Sequence, residues 1–323
     1  MKALSLFSGG LDSVLATRLI QEQGIQVEGV CFTSTFFDAE KAIKAAKRIR
    51  IPLHTIDLTE ELLSIIKSPL YGFGKGANPC IDCHILMVKK AGLLMKKIGA
   101  QFLITGEVLG ERPKSQNRWA LKVVAERSGW GDYLLRPLTA KNLPPTLPER
   151  RGWVNREKLK GIKGRSRRIQ LEMAKEMGIE DFSSPAGGCL LTDPTFSRRV
   201  KDLLLRGKLN LNEVELLKIG RHFRLGEGAK LIVGRNRKEN EELLRLARAG
   251  DICLRVVGFP GPVGLLRGKE KDEVVRMAAR IVTRYSDAPF KEVKTEYCEL
   301  FEKEKRCLIV TPLPDEEIEK LRI

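Results

Sequence analysis

Two glycines, two hydroxyls and a carboxylate stand together near the start of the chain, in Ser8-Gly9-Gly10-Leu11-Asp12-Ser13. The apolar run Ala3–Phe7 precedes them and a helix-forming stretch, Leu11–Ile20, follows. The chemistry that needs this grouping is phosphate binding. Glycines let backbone N–H groups turn inward and approach an anion closely. A helix start adds partial positive charge at the same place. Ser8 and Ser13 can donate hydroxyl bonds to phosphate oxygens, whereas Asp12 repels phosphate unless Mg²⁺ lies between them. The spacing lacks the Gly-Lys-Ser/Thr of a Walker loop. The bland alternative is a Ser-capped, Gly-rich turn that binds nothing.

Cysteines form the second constellation. Cys80 and Cys83, in Asn78-Pro79-Cys80-Ile81-Asp82-Cys83-His84, stand at the start of a helix after the Gly-rich stretch Gly72 to Gly76. Far along the chain, Gly187-Gly188-Cys189-Leu190 gives a third Gly-flanked thiol. Thiols in polar loops are placed for chemistry, while Cys31, inside a strand, is placed for packing. Three thiolates can hold a [4Fe-4S] cluster and leave one iron open to a sulfur ligand. Cys80, Cys83, Cys189 and His84 could instead hold zinc, although neighbours in sequence make awkward co-ligands. A persulfide on one cysteine, resolved by another, is the third reading. Cys253, Cys298 and Cys307 sit in strand-like contexts and read as structural.

The elements that must position these groups are legible upstream of about residue 140. Strand-like Ala3–Phe7, Val27–Phe32, Leu53–Leu58 and Gln101–Thr105 alternate with helical stretches Leu11 to about Gln23, Ala39–Arg48 and Cys83–Ile98. That alternation predicts an α/β fold with a doubly wound parallel sheet. Ligands of such sheets sit beyond the strand C-termini, where Ser8, Phe32-Thr33 and Thr105-Gly106 should converge. Between Lys141 and Arg168 the character changes: prolines 144, 145 and 148 precede a dense basic segment. Arg150, Arg151, Lys160, Lys163, Arg165, Arg167 and Arg168 from this segment are candidate RNA contacts; a solvated linker is the alternative. The pattern then restarts with a helix over Thr195–Arg206, so the boundary is placed near Thr192, giving domains 1–192 and 193–323.

Composition agrees with this division. A chain of 323 residues with 42% apolar content can build two cores. Its formal charge of +17 points to a polyanionic partner. No apolar run reaches the length of a membrane span and no secretory signal opens the sequence, so a cytoplasmic protein without a membrane partner is expected. Seven cysteines in a reducing compartment argue against a disulfide framework.

Ser8–Ser13 resembles the SGGxDS signature of the PP-loop ATP pyrophosphatases, which split ATP into AMP and pyrophosphate to adenylate a substrate. Thr105-Gly106-Glu107-Val108-Leu109-Gly110 with Ser115-Gln116, followed by Arg136-Pro137-Leu138, is similar to segments of 4-thiouridine synthetases. The Cys80, Cys83 and Cys189 arrangement resembles that of cluster-dependent tRNA 2-thiouridine enzymes. Together these resemblances span roughly residues 1–192 and identify a tRNA thiouridine synthetase-like domain. Two departures stand out: neither a THUMP domain nor a rhodanese domain is visible. In their place, Leu231–Asn236, Glu239-Asn240-Glu241, Asp251–Val256 and Pro260-Gly261-Pro262 look like the RNA-binding domain of NFACT proteins, a smaller α+β domain. Its Gly234-Arg235-Asn236 turn would present Arg235 and Arg237 to phosphates, with Arg255 and Arg267 extending the track.

The resemblance implies a mechanism. ATP would be cradled by Ser8, Gly9, Gly10 and Ser13, with Asp12 on Mg²⁺, Phe32 and Thr33 by the adenine, and Gly106 and Glu107 by the adenylate. Adenylation makes the uridine carbon electrophilic. Sulfide held at Cys80, Cys83 and Cys189 then displaces AMP, most readily giving 4-thiouridine. The missing rhodanese domain favours inorganic sulfide or a separate sulfur donor, and related enzymes suggest a homodimer. The alternatives are 2-thiouridine formation by persulfide chemistry, a PP-loop ligase, and a non-catalytic RNA-binding protein.

Overall fold

The computed structural model describes residues 1–179, 188–268, 271–300 and 304–323. The chain divides into two compact units, Met1–Asp193 and Pro194–Ile323. Gly187, from the sequence motif around Cys189, lies outside the described residues.

In the first unit, strands β1 (Lys2–Leu6), β2 (Gln26–Thr33), β3 (Leu53–Asp57), β4 (Phe102–Thr105) and β5 (Leu134–Leu135) form one sheet in the order β3-β2-β1-β4-β5. Every pairing is parallel, as expected. Parallel neighbours need crossovers. These are supplied by α1 (Leu11–Gln21), α2 (Glu40–Ile49), α3 (Thr59–Lys67), α4 (Cys80–Lys97) and α5 (Arg118–Ser128). Two cores flank the sheet. Leu11, Leu15, Leu19 and Ile20 of α1 bury against Phe7, Val27 and Phe102 on one face. Val88, Ala91 and Met95 of α4 bury against Leu4, Val30 and Leu103 on the other. Strand order reverses at β1: β2 lies on one side, β4 on the other. That reversal opens a crevice beyond the C-terminal ends of β1 and β4, where α/β sheets bind ligands.

Downstream of β5 come a short helix α6 (Leu147–Arg150) and helix α7 (Arg168–Glu176). Met173 and Ala174 of α7 join the same core as α1. The basic segment between them is stitched to the sheet's C-terminal edge by backbone bonds: Lys160 N to Pro137 O, Ile162 N to Leu138 O and Gly164 N to Leu109 O.

The second unit opens with α8 (Pro194–Leu205) and α9 (Leu211–Leu217). An antiparallel sheet follows, from β6 (Arg221–Leu225), β7 (Ala229–Val233), β8 (Ile252–Val256), β9 (Gly264–Arg267), β10 (Val293–Glu299) and β11 (Arg306–Val310), in the order β11-β10-β8-β9-β7-β6. Alternation divides its residues between two faces. Leu231 and Val233 face helix α11 (Asp272–Arg284), through Val275, Ala278 and Val282, and α12 (Asp315–Leu321), through Ile318. Ile232 faces Leu216 of α9 and Leu243 of helix α10 (Arg237–Leu246). Among the described residues no helix is long and apolar enough to cross a membrane.

Candidate functional site

A cavity of about 440 Å³ opens at the strand reversal and is lined by Ser8, Gly10, Asp12, Ser13, Phe32, Cys80, Cys83, His84, Gly106, Glu107 and Cys189, among others. The phosphate-loop candidates and the three loop cysteines, far apart in sequence, therefore meet in one space.

Loop geometry comes from the glycines. Gly9 has φ +74°, a conformation L side chains rarely adopt, and a Cβ there would fall on the Lys41 carbonyl. Gly106 makes a different close approach: a Cβ would lie 2.5 Å from Asp12 C and Ser13 N, so only glycine lets the end of β4 pack against the first turn of α1. Ser13 Oγ donates to Gly10 O at 2.8 Å, and Ser8 Oγ lies 3.3 Å from Ser13 Oγ. These hydroxyls and the start of α1 are thus held facing the cavity.

Glu107 organises one wall. Its Oε2 accepts from Arg136 Nε at 2.8 Å and from Thr105 Oγ1 at 3.2 Å, while Oε1 lies 3.0 Å from His84 Nδ1. Burial alone would raise this carboxyl, but Arg136 and His84 outweigh it and bring the pKa down to about 2. Glu107 is therefore an anion that fixes the imidazole on the cavity side.

Cys80 and Cys83 start α4, three residues apart and so on one face of the helix. Asn78 Nδ2 donates to Cys80 Sγ at 2.9 Å, and Asn78 Oδ1 accepts from Gly76 N. Burial, then repulsion from Cys189 and Cys80, pushes the Cys83 thiol far up; burial pushes Cys189 to about 11. Such thiols stay protonated at neutral pH, and only a bound cation would favour their thiolates. Three soft sulfur donors fit iron or zinc in kind. Among the described residues, though, no three His, Cys, Asp or Glu side chains are gathered ready to hold a metal ion. Cys31 also lines this cavity, buried, with its thiol pushed to about 11 by burial and then Asp38.

Other candidates fall in different places. Phe32 lines the cavity; Thr33 is not among the lining residues and donates instead to Asp57 Oδ2 at 3.2 Å. Arg151, Lys163, Arg165 and Arg168 are exposed and Lys160 is half-buried. Arg150 is exposed and pairs with Asp132 at 3.1 Å, while Arg168 pairs with Glu172 at 2.8 Å. Arg167 departs from this surface set: only 16% of its side chain is exposed, and it lines the cavity near Asp12. In the second unit Asn236 caps α10 by accepting from Glu239 N. Arg235 is half-exposed and held by Glu239, whereas Arg237 is almost fully exposed. Arg267, 14% exposed, has its guanidinium committed to Asp251 and Glu213 rather than turned to a phosphate track.

Glu111, Arg112, Gln116, Arg167 and Lys41 line the cavity as well. Only Gln116 lies in a sequence signature; the others, together with Gln170 behind Asp12, carry no spacing that announces them. Burial pushes Asp12 up, and Arg167 and Arg112 only partly offset it. Glu111 is pushed up by burial and by Asp12.

Comparisons with known proteins find likenesses for both units. Residues 1–142 match the family described as thiamine biosynthesis protein (ThiI), and residues 220–322 match the NFACT protein RNA binding domain. A tRNA-specific 2-thiouridylase MnmA 2 from Thermoanaerobacter sp. (strain X514) is 28% identical over 227 residues, 62% of this chain and 59% of the relative. The tRNA-specific 2-thiouridylase MnmA of Syntrophomonas wolfei is 30% identical over 185 residues, 54% of this chain and 53% of that one. The chain thus spans between half and three-fifths of the length of these relatives. A crystal structure of a 4-thiouridine synthetase–RNA complex with bound ATP aligns at 23% identity and TM-score 0.41, covering 55% of this chain and 41% of the other. The two family matches fall one in each compact unit.

Proposed function

We propose that this protein thiolates a uridine of tRNA, using ATP to activate the base and sulfur delivered at Cys80, Cys83 and Cys189. One observation carries the reading: the phosphate loop, Glu107 and these cysteines line the same cavity, so activation and sulfur attack can occur on one bound base without transfer between sites.

Ser8, Ser13 and the start of α1 hold the ATP phosphates, with magnesium at Asp12. The uridine carbonyl oxygen attacks the α-phosphate, pyrophosphate leaves, and the ring carbon becomes electrophilic. Sulfide adds to that carbon and AMP departs with the original oxygen. Glu107 keeps His84 turned toward the cavity, where it can hydrogen-bond the adenylate. A [4Fe-4S] cluster bound by the three cysteines would supply an iron with one open coordination position for sulfur. Exposed Arg151, Lys163 and Arg165, with Arg237 of the second unit, would meet tRNA phosphates.

The resemblance of Glu107 to Gln116 to a segment of 4-thiouridine synthetases, with the NFACT-like second unit, favours 4-thiouridine as product. The MnmA relatives support 2-thiouridine as the second reading. Nucleoside mass spectrometry of tRNA incubated with anaerobically purified protein, ATP and sulfide separates the two. About four irons per chain with wild type, and loss of iron with Cys189→Ala, support the cluster. Zinc, or no metal after reconstitution, overturns it in favour of persulfide chemistry.

A further inference from the structure

Several buried polar groups around the cavity remain without a role. Asp12 Oδ1, Glu111 Oε2, Gln116 Oε1 and Arg167 Nε, all on lining residues, have no hydrogen-bond partner. Neither amide atom of Gln170 has one, although this side chain sits beside Asp12. Gln116 is only 7% exposed and Gln170 is wholly buried. Native structures rarely leave several such groups unsatisfied in one place; ordered water, an ion or a ligand completes them.

The arrangement of charge indicates which ligand. Arg167 lies 3.9 Å from Asp12 Oδ2 and 4.0 Å from Glu111 Oε1, too far to hydrogen-bond either. One guanidinium therefore stands loosely between two carboxylates, with Arg112 acting on both. Magnesium prefers one or two carboxylates and completes its octahedron with waters and substrate phosphates. Two acidic side chains at the edge of a phosphate loop, backed by unsatisfied amides able to hold ordered water, match that demand.

We propose that Glu111 joins Asp12 in binding the magnesium ion that accompanies the nucleotide, and that Arg167 stands between these carboxylates until the ion arrives and then turns to the phosphates. This rests on the nucleotide-binding reading of the cavity. The charge accounting is consistent: magnesium neutralises the two carboxylates, which releases Arg167 and Arg112 to face the triphosphate. Glu111 thus becomes a metal-binding residue, and Arg167 exchanges one anionic partner for another.

Manganese, counted by electron paramagnetic resonance on the 323-residue chain, serves as the probe, together with an ATP analogue carrying a methylene α,β-bridge. In wild type, manganese should tighten analogue binding at least tenfold over binding in EDTA. Glu111→Gln should bind the analogue in EDTA at least as tightly as wild type, because Arg167 is partly released, and should lose most of the metal's enhancement. Arg167→Ala should move the two affinities in opposite directions: manganese alone binds severalfold tighter, while the analogue binds at least tenfold weaker. Full metal enhancement in Glu111→Gln, or unchanged or weaker manganese binding in Arg167→Ala, overturns the proposal. If wild type binds no analogue under any condition, the nucleotide reading itself has failed, and the proposal falls with it. Tryptophan fluorescence in urea confirms that each variant is folded.

Discussion

Replacing Glu107 by glutamine removes the anion that ties His84, Thr105 and Arg136 into one wall of the cavity. Arg136 is only 6% exposed, so its guanidinium would be left buried without a counter-charge. The cost can be worked in two ways. The folded carboxyl titrates at about 2, against an ordinary value of 4.5. That difference converts, at about 1.4 kcal/mol per pKa unit, to about 3.4 kcal/mol at neutral pH. Removing one partner of a buried ion pair independently costs about 3–5 kcal/mol. Glu107→Gln should therefore destabilise the first unit by about 3 kcal/mol at pH 7.

The pH dependence carries a definite sign. Because the folded pKa is depressed, the contribution is full above the ordinary value and is lost as pH falls from about 4.5 towards 2. By pH 3.5 the gap between wild type and variant should have narrowed by about 1.4 kcal/mol. Urea unfolding followed by tryptophan fluorescence reads the correct unit, since Trp119, Trp130 and Trp153 all lie within Met1–Asp193. A variant within about 1 kcal/mol of wild type at pH 7, or a gap unchanged between pH 7 and 3.5, would refute this reasoning.

Gly106→Ala places a Cβ against the backbone of Asp12 and Ser13; it should weaken nucleotide binding at least tenfold and destabilise the first unit by about 1–3 kcal/mol, checked by calorimetric titration and urea unfolding. Lys163→Ala and Arg165→Ala, both exposed, should each reduce the slope of log affinity for tRNA against log salt by about 0.7–0.9 if the side chain neutralises one phosphate; unchanged slopes exclude the basic segment from the interface. Lys230 is buried, and burial holds its pKa down at about 8. The unfolded chain then binds the extra proton between pH 8 and 10.5, so stability of the second unit should rise through that window. Lys230→Met should remove this rise and stabilise the unit at pH 7, read from labelling of buried Cys253 in urea; a variant less stable than wild type contradicts it.

Local patterns made much of the first unit readable. Leu11, Leu15, Leu19 and Ile20 form one helical face, and the strand-like runs ending at Phe7 and Thr105 bring Ser8 and Gly106 to the same sheet edge. Helices α3 and α5 are less apparent. In α5 the apolar buried residues are only Ala120, Leu121 and Val124, beside a Trp119 that is 56% exposed. Strand β5 has two residues and exists through its pairing with β4. The cysteines were legible as a constellation because their flanking glycines and prolines mark loops. Glu111 and Gln170 were not, because their relevance arises only when α7 docks beside α1. Arg167 illustrates the limit most clearly: in sequence it belongs to a basic run, yet the turn into α7 directs it inward while its neighbours stay at the surface.

The most direct test of a shared cavity is to measure AMP, pyrophosphate and thiouridine together in one reaction with tRNA, ATP and sulfide. Wild type should form all three in equal amounts. Cys189→Ala should lose thiouridine while still exchanging labelled pyrophosphate into ATP in the presence of tRNA, and Asp12→Ala should lose both activities. Release of ADP and phosphate in place of AMP and pyrophosphate, or thiouridine formed without ATP, would contradict activation and sulfur delivery at one site.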